Sequence, residues 1–186
     1  MQQKTKTIAI IIGIFIAFSL LISNCEDEKP KEEIKAIDNT VLENPKENSL
    51  FSNVDDFKNS FNNFSETNKS DLIIKNFDVG GGTSCMLKSG FFIAIGSDEK
   101  KHLNSVSFVG TDESYKSTKD ILHCIYGIIS STNPKLSISE CDTIFKKIGL
   151  SGNYNIKNID AWTVKNGVKY RMYSYPSSIL FEATPY

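Results

Sequence analysis

Hydrophobic positions change their spacing several times along this chain, and each change marks an element. Residues 8–22 (IAIIIGIFIAFSLLI) are apolar almost without interruption and show no polar face at helical spacing. Residues 26–49 lose the pattern altogether. From there Phe51, Val54, Phe57, Phe61 and Phe64 recur at steps of three and four, which predicts an amphipathic helix over about 50–64. Strand-like runs follow at 72–79, 85–96 and 103–110, punctuated by Gly80-Gly81-Gly82 and Ser97-Asp98. Residues Phe91 to Ile95 are apolar at successive positions, the pattern of a central strand covered on both faces.

Two helices come next. The first, over about 118–131, carries Ile121, Cys124, Ile125, Ile128 and Ile129 on one side and stops at Asn133-Pro134. The second begins with a capping box, Ser137 with Glu140, and a hydrophobic staple, Leu136 with Cys141. Ile138, Cys141, Ile144, Phe145 and Ile148 form its apolar stripe, and Gly149 is a natural stop. The last third is expected to be an antiparallel meander, about 158–164, 168–174 and 178–184. At its first turn, Lys165-Asn166-Gly167, a two-residue loop sets Trp162 opposite Arg171 and mixes apolar with charged side chains on each face. A three-residue loop with Gly167 left-handed pairs Val164 with Val168 and Trp162 with Tyr170. The apolar pattern favours the three-residue loop, with Trp162, Val164, Val168, Tyr170 and Met172 on the core side. Helix, three strands, two helices, three strands is an α+β order, with helices packed on antiparallel sheet.

The chain divides into three stretches. Lys4 and Lys6 precede the apolar run, Ser23 and Asn24 close it, and Cys25 is followed at once by Glu26, Asp27 and Glu28. A basic start, an apolar stretch of this length and small polar residues at a boundary describe an export signal over 1–24. An uncleaved anchor is the alternative for a run this long. In either case the lysines stay cytoplasmic and the remainder goes outward. Ile22-Ser23-Asn24-Cys25 resembles the lipobox of bacterial lipoproteins. That resemblance implies a diacylglyceryl group on the Cys25 thiol, removal of 1–24, and a cell-membrane or outer-membrane location with the domain outside the cytoplasm. Residues 25–49 hold eight acidic against four basic side chains, two of the five prolines and no aromatic ring. This is linker composition, and 24 flexible residues span about 27 Å. Residues 50–186 form the single α+β domain. A helix pair followed by a three-stranded meander is similar in element order to small envelope lipoproteins of the outer-membrane assembly type and to β-lactamase-inhibitor-like modules, which implies a binding role.

Charge and chemistry narrow the function further. The 186 residues carry a formal charge of −1, and residues 50–186 hold 15 basic against 14 acidic side chains. No clustered basic face marks a nucleic-acid partner. Cys124 and Cys141 lie on facing stripes, but about 10 Å and about 5 Å from the ends that join their helices, so free thiols are expected. A thiol-dependent hydrolase would need Cys85 beside His102 or His123; no spacing demands it. No metal-ligand spacing, cofactor motif or catalytic constellation is evident. Gly80, Gly81 and Gly82 lead into a strand and suit a hairpin, with a ligand loop as the lesser reading. Tyr173 and Tyr175 share the parity of Lys169 and Arg171, giving a candidate interaction face of a composition favoured at protein interfaces. The expected function is therefore a membrane-anchored envelope lipoprotein with a non-catalytic binding domain for a protein or envelope partner, an assembly accessory or an immunity/exclusion-type inhibitor. The alternative is a carrier of a small apolar ligand held between helices and sheet.

Overall fold

A computed structural model describes residues 49–77, 83–88, 90–97, 102–111, 117–150, 156 and 158–186. Three helices and six strands follow one another along the chain: α1 (Val54–Thr67), β1 (Ser84–Lys88), β2 (Phe91–Ser97), β3 (Leu103–Thr111), α2 (Thr118–Thr132), α3 (Ile138–Lys147), β4 (Asp160–Lys165), β5 (Val168–Tyr175) and β6 (Ser178–Pro185). The strands make one sheet in the order β1-β2-β3-β6-β5-β4, every neighbouring pair antiparallel. Two three-stranded meanders thus meet at β3 and β6, and each meander follows helix. The α+β class expected from the pattern is what the fold shows.

The helix ends follow from local chemistry. Asn53 caps α1, its side-chain oxygen accepting from the Asp56 amide at 2.9 Å. At α3 the expected capping box is formed: the Ser137 hydroxyl accepts from the Glu140 amide, and the Glu140 carboxylate accepts from the Ser137 amide at 2.9 Å. The helix ends as a Schellman motif. Gly149 stands at φ 85°, its amide donates to the Lys146 carbonyl, and the Leu150 amide donates to the Phe145 carbonyl.

The helices cover one face of the sheet. Strand residues on that face, including Ile93, Phe108, Phe181, Tyr170 and Met172, are fully buried with Phe57, Phe61, Ile121, Ile125 and Ile128 of the helices. Tyr170 ties the two layers, its hydroxyl held by Asn133 at 2.6 Å and Thr132 at 3.0 Å at the end of α2. Helices α1 and α2 touch at Gly127, where a Cβ would stand 2.8 Å from the ring of Phe61 and 3.2 Å from that of Phe64. The Phe61 ring is fully buried and has nowhere to move. Gly127→Val is expected to destabilise the domain by ~1–3 kcal/mol through overpacking, despite a helix-propensity gain of under ~1 kcal/mol. A urea unfolding midpoint checks this.

Several expectations are corrected. The segment 72–77 is not a strand of the sheet. Leu72 and Ile74 are buried, but the backbone of Ile74 bonds to the side chain of Asn62 in α1, accepting at 2.9 Å and donating at 2.8 Å. An amide side chain thereby replaces a ladder partner. The run 85–96 is a hairpin rather than one strand, turning at Gly90 with φ 79°. Its second strand is covered on one face among the described residues, with Phe91, Ile93 and Ile95 inward and Phe92 and Ala94 half-buried. Ile138, expected in the buried stripe of α3, is 76% exposed. It occupies the first helical position, beyond the edge of the layer beneath.

The turn before β5 is also corrected. Asn166 (φ 51°) and Gly167 (φ 74°) are both left-handed, so the loop has two residues and the twist of a type I′ turn. Lys165 faces Val168, Val164 faces Lys169 and Trp162 faces Arg171. Trp162 and Val164 therefore point away from the core, and Thr163 is buried in their place.

Candidate outer-sheet binding face

The face of the sheet turned away from the helices holds the candidate interaction residues. Lys169, Arg171, Tyr173 and Tyr175 alternate with buried Val168, Tyr170, Met172 and Ser174 along β5, so all four share that face as expected. The two-residue turn adds Trp162, 53% exposed, which pattern reading had placed in the core. Pairing then makes rows across the strands. One row runs Met86, Phe92, Val109, Leu180, Tyr173 and Asp160; the next runs Ser84, Ala94, Ser107, Glu182, Arg171 and Trp162. The first is apolar over five strands; the second is small or charged over five and ends in Trp162.

Cations and rings interlock at the β4–β5 end. The Lys169 ammonium lies 5.0 Å from the centre of the Trp162 ring, and the Arg171 guanidinium lies 3.8 Å from that of Tyr173. Such contacts stabilise by ~0.5–1 kcal/mol at exposed sites. They also bias long side chains toward one arrangement, which would lower the ordering cost of any binding at this face. Arg171 also donates to Asp160 at 3.4 Å, a half-exposed pair of little energetic weight. The Nε–H of Arg171 is covered and finds no acceptor among the described residues, a donor whose desolvation is uncompensated.

Glu182 sits centrally on this face. Burial pushes its carboxyl above the ordinary value, and Arg171, a hydrogen bond with Ser107 and Lys169 only partly offset that. With the folded pKa raised, the folded protein holds more protons than the unfolded chain just above the ordinary glutamate value of about 4.3. Stability present below that value is then lost as pH rises through the folded pKa. Glu182→Gln, always neutral, is expected to lack this loss. The unfolding midpoints of the two proteins should agree at low pH and separate toward neutrality, with the Gln variant higher.

The remaining expected residues sort differently. Cys25 and the loop Gly80, Gly81 and Gly82 lie outside the described residues. Cys85, Cys124 and Cys141 form no disulfide with one another and are buried, at 2%, 0% and 2% exposure. Burial pushes the Cys124 thiol well up, away from the reactive thiolate. His123 was expected on a polar flank. It is half-buried, its Nε2 3.1 Å from the hydroxyl of fully buried Ser65, and burial lowers its pKa, partly opposed by Asp120. The pair links α1 to α2 and is closed to a substrate at Ser65. No group of three His, Cys, Asp or Glu among the described residues is placed to hold a metal ion, and no described helix is long and apolar enough to cross a membrane. Between helices and sheet, where the alternative reading places an apolar ligand, the described residues form one continuous cluster of buried apolar side chains.

No protein-family model, curated protein or solved structure matches this chain at a significant level.

Proposed function

We propose that this chain is an envelope lipoprotein, held at the membrane by acyl chains on Cys25, whose domain acts without catalysis by docking a partner protein on the outer face of its sheet. The observation that carries the reading is the pre-ordered Trp162–Lys169 and Arg171–Tyr173 cluster beside an apolar row crossing five strands. Aromatic rings and arginine are the side chains that dominate protein interfaces, and charges of both signs around them give orientation. The acidic stretch 26–49 supplies the standoff a docking domain needs to reach a neighbour from a membrane anchor. An assembly accessory and an immunity or exclusion inhibitor both work through such a face. The test is capture from detergent-solubilised envelope by full-length wild type and by Trp162→Ala. One protein recovered in stoichiometric amount by the wild type and lost with the variant supports the reading. A wild type that recovers none, or a variant that recovers the same protein equally, overturns it.

A further inference from the structure

The helical layer has a second surface of different character. The last turns of α1, the outward flank of α2 and the start of α3 border an open groove of about 500 Å³. One wall is aromatic: the rings of Phe64 and Tyr126 stack 13° from parallel with centroids 5.8 Å apart. Leu122 and Leu136 contribute half-buried apolar surface, and Ile138, exposed against the periodicity of its helix, adds a flexible apolar rim.

The polar groups of the groove divide into spent and unspent. His123 is engaged with Ser65. The Tyr126 hydroxyl is engaged with the Cys141 sulfur, and burial keeps it protonated, its pKa pushed up to about 12. Lys119 is the charged residue of the described lining; the neighbouring Asp120 is committed to Lys88 and Ser117, while Asp71 and Asp142 act on His123 and Tyr126 from outside the lining. A concave, largely apolar site of this size with a single charged residue in its described lining has features of small-molecule sites. From this we infer that the groove binds a small planar apolar molecule bearing one negative group, of the aromatic or fused-ring carboxylate class. Its ring lies against Phe64, Tyr126, Leu122 and Ile138, and its acid group lies at Lys119. The inference is independent of docking on the sheet, because the groove is on the outward side of the helices.

Calorimetric titration of the full-length chain in phosphatidylcholine nanodiscs tests it, with empty nanodiscs as the blank. The probes are naphthalene-1-acetate and the neutral naphthalene-1-acetamide. The acid is expected to bind one to one and about tenfold more tightly than the amide. Lys119→Gln is expected to bring the acid down to the affinity of the amide. Ile138→Asn changes an exposed side chain that the fold does not need, and should weaken both probes about fivefold. Trp162→Ala should leave both unchanged. Absence of saturable binding, equal affinity for acid and amide, or indifference to Lys119→Gln overturns the inference.

Discussion

Cys25→Ser is expected to abolish incorporation of radiolabelled fatty acid completely and to leave the 24-residue leader attached, seen as a slower-migrating protein. The reasoning is chemical. Serine offers no thiolate for thioether formation, and cleavage before the residue follows that modification in the lipoprotein pattern that Ile22-Ser23-Asn24-Cys25 resembles. What disappears is the lipid-mediated attachment, in which two acyl chains hold a protein at a bilayer where one is only marginal. Retained leader keeps the variant membrane-associated through residues 8–22, so label and mobility, rather than fractionation, are the informative measurements. A wild type that takes up no label, with a Cys25→Ser form maturing identically, removes the lipid anchor from the account.

Trp162→Ala is expected to weaken partner binding by about thirtyfold or more, since an aromatic anchor residue typically contributes ~2 kcal/mol or above. Two losses combine. The indole no longer fills a pocket on the partner, and Lys169 loses the ring that holds it. Folding should be only weakly affected, because Trp162 is 53% exposed and points away from the helical layer. Thermal unfolding within ~1 kcal/mol of wild type, the worth of the lost cation–π contact, together with the affinity loss, separates docking from stability. Equal affinity of wild type and variant for the captured partner contradicts the assignment of Trp162 as an anchor.

The parts of this fold legible in the sequence are those decided within a turn or two of chain. Ser137, Glu140 and Gly149 announce both ends of α3 because capping is local. The Phe57 and Phe61 stripe and the apolar side of α2 emerge as expected, since helical spacing alone selects the buried face. What stayed hidden depends on residues far apart. Burial parity argued for Trp162 inside, but Lys169 across the strand gives the ring a favourable place outside, and the left-handed Asn166-Gly167 pair fixes that register. The run at 72–77 has the composition of a strand, yet its hydrogen bonds are taken by Asn62, ten or more residues away. The candidate face was half legible. The shared parity of Lys169, Arg171, Tyr173 and Tyr175 is a period-two fact. The apolar row beside them exists only because β3 pairs with β6, bringing Val109 next to Leu180. No pattern within either strand announces that pairing. The groove behind Lys119 was illegible for the same reason, as it needs three helices in place.

Photocrosslinking in intact cells tests the central claim most directly. Trp162→p-benzoylphenylalanine and Tyr173→p-benzoylphenylalanine place the reactive group on the outer sheet face, and Lys146→p-benzoylphenylalanine places it on α3 as a control. The account predicts one discrete crosslinked protein from positions 162 and 173 on irradiation, and none from 146. Crosslinks from 162 and 173 to no protein, or the same products from all three positions, would contradict it.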